Sequence, residues 1–286
     1  MALREAVDRV AVEVPTAQWS VCLRSTNGRI LASHDEGRVL ATASVGKLLL
    51  LLEVARRMSN GSLSPDTRLS RHTVAPVAEA GLWQHLHVAD LPVADVAVLV
   101  ASLSDNWATN VLLEAVGLAE VEALRTSLGL VDTALRDRVR VRRGAGDPPA
   151  LSVGSGAELS DIMVRMNAGT LVSSDVSRQL RQWLSLSADL SLIGAAFDLD
   201  PLAHVHPRDG LNVVNKTGSD AGVLADVGVV HGSGTSIAYA VVANWDPSAV
   251  STRASVLSHL RSIGRSLRWS VDAQLTQVPP GEGWYG

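Results

Sequence analysis

Cysteine, lysine and long apolar runs are what this 286-residue chain has least of, and each shortage narrows what it can be. Its one cysteine, Cys22, rules out an internal disulfide, so the fold does not depend on an oxidising compartment; the thiol is expected as a small buried strand residue. The leucine run Leu48 to Leu52 stops at Glu53, far short of the ~20 residues that span a bilayer, and reads as a helix buried on every side. Excess positive charge is also missing. A formal charge of -4 gives no general attraction to phosphate backbones or anionic membranes, which sets nucleic acid and membrane aside as partners. The opening segment places acids among its apolar positions and lacks the apolar centre of a signal peptide, so the sequence as given reads as cytoplasmic; a trimmed start would read the same.

What is present is a hydrophobic share of 47%, enough for a large core in one domain or two interleaved ones. Residues 2–14 put Leu3, Ala6, Val7, Val10 and Val14 on one helical face. "QWSVCLRSTNGRILAS" alternates Trp19, Val21 and Leu23 inward and turns at Asn27 and Gly28, which predicts a hairpin. From about 60 to 208 the pattern is mostly helical, with polar or Pro/Gly breaks. Strand character returns in "LNVVNKTG", "VLADVGVV" and "SIAYAVVANW", and an amphipathic helix closes through Ala254, Leu257, Leu260, Ile263 and Leu267. The order predicts an α/β protein: an antiparallel sheet domain built from residues 1–58 and 209–270, an inserted all-helical domain over 59–208, and a loosely held tail at 271–286. No internal repeat is visible.

Only two of the 25 basic residues are lysines, Lys47 and Lys216, and each stands in a short motif. Ser44 precedes Lys47 by three residues, so on a helix the two share a face one turn apart. A lysine amine there can take the proton of a serine hydroxyl, provided burial beside another cation keeps it neutral; a guanidinium stays protonated. Lys216 opens "KTG" at the end of a predicted strand, where Lys216 and Thr217 can meet a substrate carboxylate and Gly218 admits it against the backbone. Between them lies "SDN", Ser104 to Asn106, in which the serine can relay a proton to a leaving group and the Asn amide can orient a substrate carbonyl and the lysine. Taken singly, Ser-x-x-Lys is common surface decoration and "SDN" is an ordinary helix cap.

Together and in this order, Ser-x-x-Lys, Ser-Asp-Asn and Lys-Thr-Gly resemble the serine β-lactamases and penicillin-recognising enzymes, nearest to class A. Asn110 in "SDNWATN" and the segment "LGLVDTALRDR", which is similar to the approach to that family's Ω-loop, extend the resemblance over roughly residues 3–269. It implies that Ser44 is the acylated nucleophile, Lys47 a base, Ser104 a proton relay and Asn106 an anchor for substrate and lysine. Lys216 and Thr217 would bind the substrate carboxylate, and the backbone amides of Ser44 and Ser219 would form an oxyanion hole. No cofactor or metal is implied. The partner would be a small ester, amide or β-lactam-like molecule.

One element of the resemblance is missing. Class A enzymes carry a deacylating glutamate on the Ω-loop, and here the matching stretch "RDRVRVRRGAG" puts Arg140 about where it belongs, give or take a residue. Asp132, Asp137 and Asp147 are the carboxylates near enough in sequence to substitute. The expectation is a serine acyl-transfer enzyme with weak β-lactam turnover, with a non-catalytic binding module and an acyltransferase as alternatives. The remaining features have plainer readings. "HLH" at 85–87 and "HVH" at 204–206 read as surface or loop histidines; Trp83 and Trp107 either pack or flank the cleft. Arg253 reads as a solvated helix residue more readily than a second substrate cation, and "RVRVRR" as a solvated loop. "GSG" at 154–156 and 232–234 reads as turns.

Overall fold

The computed structural model describes residues 3–205, 210–233 and 235–272. In chain order the elements are α1 (Leu3–Glu13), β1 (Ala17–Ser25), β2 (Ile30–His34), β3 (Leu40–Ala41), α2 (Lys47–Ser59), β4 (Arg68–Ser70) and β5 (Asp90–Pro92). Then come α3 (Val93–Leu103), α4 (Asn106–Val116), α5 (Leu118–Ser127), β6 (Ala134–Leu135), β7 (Ser152–Gly154), α6 (Gly156–Ala168) and α7 (Ser174–Leu184). The chain closes with β8 (Asn212–Asp220), β9 (Val223–His231), β10 (Ser236–Trp245) and α8 (Val250–Val271).

The main sheet has the order β2-β1-β10-β9-β8, so strands from the two ends of the chain lie side by side. All four pairings are antiparallel, with Val21 opposite Val241 and Lys216 opposite Val227. Near-continuous apolar runs in β9 and β10 match a sheet covered on both faces. One core, with Val7, Val10, Leu260, Ile263 and Leu267, fills the face toward α1 and α8. The second runs from Leu48, Leu112 and Met163 in the helical region to Val214, Val227 and Val242 on the opposite sheet face. Cys22 is a buried residue of β1, and the Asn27–Gly28 turn joins β1 to β2.

Two differences from the sequence reading concern what positions the site. The helical region also carries two small sheets, β3-β7-β6 and β4-β5, whose strands are too short to show a period of two. Gly154, Ser155 and Gly156 are not a free turn: they join the end of β7 to the start of α6, and Ser155 caps that helix by accepting from the Glu158 amide. A Cβ on Gly156 would lie 3.1 Å from the backbone of Ser20 and Val21, and its amide donates to Ser20 Oγ at 2.8 Å, so that helix start is packed on the sheet and cradles nothing. Of the second "GSG", residue 234 lies outside the described residues, as do His206 and residues 273–286 of the tail.

Helix α2 carries the apolar run through the middle of the larger core, with Lys47 to Ala55 all buried. Glu53, which ends that run in the sequence, is buried too. Its carboxylate is matched by Arg56 at 2.7 and 2.8 Å and by Arg57 at 2.7 Å, the two arginines lying one turn along the helix. A buried charge persists only when paired in this way.

Candidate active site

The approach to Ser44 is held from both sides. Asn244 of β10 clamps the backbone of Ala41, accepting from its N–H and donating to its carbonyl, both at 2.9 Å. Ser152 of β7 shares a 2.7 Å hydrogen bond with Thr42 Oγ1 and donates to the Ala43 carbonyl at 2.6 Å. Between these clamps Ala43 is forced to φ 47°, a left-handed conformation that costs a residue with a Cβ roughly 1 kcal/mol or more. The chain then enters a 3-10 turn, Ala43–Gly46, that runs directly into α2. Ser44 therefore sits on the turn before the helix and not within it, and i, i+3 side chains eclipse in a 3-10 turn, which still puts Ser44 and Lys47 on one side.

Lys47 is fully buried, and its Nζ has three partners: Ser104 O at 2.6 Å, Asn106 Oδ1 at 2.9 Å and Ser104 Oγ at 3.2 Å. Burial lowers its pKa well below the usual lysine value, the charge of Lys216 lowers it further, and Asp105 opposes the shift. Three acceptors satisfy an ammonium. When the amine is neutral, two N–H groups remain for Ser104 O and Asn106 Oδ1, and its lone pair can take a proton from a neighbouring hydroxyl.

The "SDN" triplet is a helix cap and a part of the site at once. Asp105 is the N-cap of α4: Oδ1 accepts from Ala108 N at 2.9 Å, while Oδ2 accepts from Leu82 N and Trp83 N, both at 2.8 Å. Gly81, at φ 120°, lets that loop come so close that a Cβ would sit 2.3 Å from Asp105 Cγ. Ser104 is left-handed at φ 55°, which delivers its hydroxyl toward Lys47. Trp83 and Trp107 both pack. Trp83 is buried and donates to Val88 O at 3.0 Å; Trp107 donates to Arg71 O at 2.9 Å and lies under the Arg71 guanidinium at 5.1 Å.

Lys216 lies in the middle of β8, not at a strand end, because the pairing with β9 continues to Asp220. Burial lowers it to about 8, against the opposing charges of Asp189 and Asp226. Gly218 faces the Ser44 turn: a Cβ there would meet Thr42 O at 2.3 Å and Ser44 N at 3.1 Å, so only glycine lets β8 press against the Ser44 backbone. A cavity of about 390 Å³ is lined by Ser44, Ser104, Lys216, Thr217 and Ser219, with Ser102, Leu103, Ser187, Ala188 and Asp189 completing most of its wall. Five residues singled out from three distant sequence stretches thus share one cavity. Lys47 and Asn106 lie behind it, bonded to each other.

Asp189 is the site residue that sequence reasoning missed. Its Oδ2 accepts from Thr217 Oγ1 at 2.7 Å and its Oδ1 from Ser191 N and Oγ at 3.1 and 2.6 Å. Burial pushes this carboxyl up, yet the bonds from Ser191 and Thr217 and the charge of Lys216 prevail and hold it below the usual range. No motif marks it; "SADLS" reads as an ordinary loop.

The Ω-like segment needs correction. Arg140 donates to Asp137 at 2.7 Å and reaches Asp147 at 3.2 Å, while Arg143 also holds Asp137, at 2.6 Å. Neither Arg140 nor any of Asp132, Asp137 and Asp147 lines the cavity with Ser44. The residue tied to α4 is Val139, whose amide donates to Asn110 Oδ1 at 2.8 Å and whose carbonyl accepts from Asn110 Nδ2 at 2.9 Å. "RVRVRR" is a largely solvated loop, as the sequence suggested, and two of its arginines, Arg140 and Arg143, turn to neutralise the buried Asp137. Arg140→Glu is expected to leave release of a bound acyl group unchanged and to lower the unfolding temperature through loss of a charged hydrogen bond and crowding of three carboxylates. Thermal unfolding beside a deacylation time course checks both halves.

His204 is buried, not a surface residue, with Nδ1 3.2 Å from Asp200 O. Among the described residues no cluster of three or more His, Cys, Asp or Glu side chains is placed to hold a metal, and no helix is long and apolar enough to cross a membrane. Arg253 comes within 3.5 Å of Ser219 Oγ from the exposed side of α8.

The sheet order, the flanking helices and the Ser44 turn against β8 define an α/β fold of the β-lactamase/DD-peptidase type. The chain belongs to the beta-lactamase enzyme family, whose model matches residues 2–266. Among solved structures, a β-lactamase from Sphaerobacter thermophilus superposes with a TM-score of 0.78 at 24% identity, covering 96% of this chain and 97% of that one. The penicillin-acylated L158E mutant of PBP-A gives 0.76 at 19% identity, with 94% and 95% covered. A class A β-lactamase from Mycobacterium abscessus gives 0.75 at 21%, with 92% and 98% covered. No curated protein matches the chain.

Proposed function

We propose that this protein is an active-site-serine hydrolase that forms an acyl-enzyme on Ser44 with a small ester or amide and turns over β-lactams weakly. The observation that carries the reading is Lys47: fully buried, depressed in pKa, and bonded to Ser104 and Asn106 behind the cavity that Ser44 lines. Ser44 Oγ attacks the substrate carbonyl, its proton passes to the Lys47 amine, and the carbonyl oxygen gathers charge before the backbone amides of Ser44 and Ser219. The Ser104 hydroxyl relays a proton to the departing nitrogen or oxygen as the bond to it breaks. Water then has to cleave the Ser44 ester. No carboxylate of the Ω-like segment lines the cavity to activate that water, which supports slow release.

The test is the intact mass of wild-type and Ser44→Ala protein after mixing with a chromogenic cephalosporin and with p-nitrophenyl esters, while product is followed. A persistent adduct on the wild type alone, with slow turnover, is expected. Turnover that needs an added alcohol or amine would make the protein an acyltransferase. Absence of both adduct and product with every compound would favour a binding module.

A further inference from the structure

The negative charge at the cavity wall is not accounted for by an enzyme that only has to hold a substrate carboxylate. Thr217 follows Lys216 in "KTG", yet its hydroxyl proton is already given to Asp189 Oδ2 at 2.7 Å. A hydroxyl has one proton to donate, so toward the cavity Thr217 presents lone pairs and acts as an acceptor. Asp189 lines the cavity beside Thr217 and Lys216. Lys216 spends one N–H on the Thr217 carbonyl at 2.9 Å and, although part of the wall, is itself buried. These two are the only charged residues among those lining the cavity, so the charge of Lys216 is balanced by the protein itself before any substrate arrives. A substrate carboxylate entering here would meet an oxygen lone pair and the exposed carboxylate of Asp189, a like-charge contact. An ammonium or other N–H donor would find two acceptors instead. Arg253 does not reverse this, since it reaches Ser219 from the exposed rim and is not part of the wall.

We infer that Asp189, acting with the Thr217 hydroxyl, is a specificity-determining residue that selects substrates bearing a cationic or N–H-donating group next to the scissile carbonyl and disfavours carboxylate-bearing ones such as penicillins. The inference rests on the proposed acylation of Ser44. It adds a second reason for weak β-lactam turnover, one that acts on acylation and not on release. The low pKa of the Asp189 carboxyl keeps it charged through the neutral range, in accord with that role.

Three arylboronic acids of one shape test this: 3-(aminomethyl)-, 3-methyl- and 3-carboxyphenylboronic acid, whose boron adds reversibly to an activated serine. Their dissociation constants are measured with wild-type, Asp189→Asn and Ser44→Ala protein. In the wild type the aminomethyl compound should bind about tenfold or more tightly than the carboxy compound, and Asp189→Asn should shrink that ratio by about tenfold. An unchanged ratio in Asp189→Asn, or a wild type that prefers the carboxylate, overturns the inference. If the asparagine variant does not fold, the wild-type ratio alone decides. Binding of the three to Ser44→Ala with their wild-type dissociation constants would instead sink the nucleophile assignment while leaving the charge ratio readable, so the two failures are distinct. Binding of none of the three overturns both.

Discussion

Lys47→Arg is expected to slow acylation of Ser44 by about 10³-fold or more, within the usual range for removing a general base. The lysine is asked to do two things that arginine cannot. It must give up a proton near neutrality, which burial and Lys216 make possible for an amine, whereas a guanidinium stays charged. It must also fit a compact head between Ser104 O, Ser104 Oγ and Asn106 Oδ1, a three-point cage with no planar slot. The larger head would in addition overpack a fully buried position, at a cost of about 1–3 kcal/mol. The initial burst of adduct, followed by intact mass, separates the two effects: a folded variant with no burst supports the base role, and a burst at the wild-type rate removes it. The wild-type rate should rise with pH through the depressed pKa of Lys47, because the neutral amine is the working form.

Asp226→Asn should change the way stability responds to pH by an amount on the order of 4 kcal/mol. Asp226 is buried behind the site and accepts from Ile193 N at 3.0 Å, Asn215 Nδ2 at 3.1 Å and Tyr239 OH at 3.0 Å. Burial, with Asp189 nearby, pushes its pKa from 3.8 to about 7, against those hydrogen bonds. Between these pH values the folded protein holds a proton that the unfolded chain has released. The contribution of this group is therefore fully present below the unfolded pKa and is lost as pH rises through about 7. His231, depressed to about 4 by burial, pulls the other way below its unfolded value of 6.5, so the wild-type profile mixes opposing slopes. The difference between variant and wild type isolates Asp226. Denaturant unfolding at pH 4 and pH 8 should show the asparagine gaining on the aspartate toward high pH; an equal difference at both would mean that Asp226 is ionised throughout.

Both predictions turn on groups whose type was readable in the sequence and whose surroundings were not. Lys47 and Lys216 stood out because the chain otherwise uses arginine, and the triplets "SDN" and "KTG" gave their neighbours. The hairpin, the closing strands and the last helix were legible for a different reason, since long amphipathic segments and an Asn-Gly turn carry their period locally. Glu53 looked like the end of an apolar run, and nothing in "VLADVGVV" set Asp226 apart. Both turned out to be buried acids whose partners come from elsewhere or from the next helical turn.

The sequence by itself determined the residue types of the site and the order of the large elements, because a nucleophile needs a base that can lose its proton and a sheet needs alternating or continuous apolar strands. Tertiary structure alone decided the charge of the cavity and the fate of the Ω-like segment. Asp189 meets Thr217 across 28 positions of sequence separation, and Val139 meets Asn110 across 29. Contacts between residues so far apart leave no periodicity in a single sequence. The direction of a pKa shift or of a hydroxyl proton depends on those contacts and not on the residue's own identity.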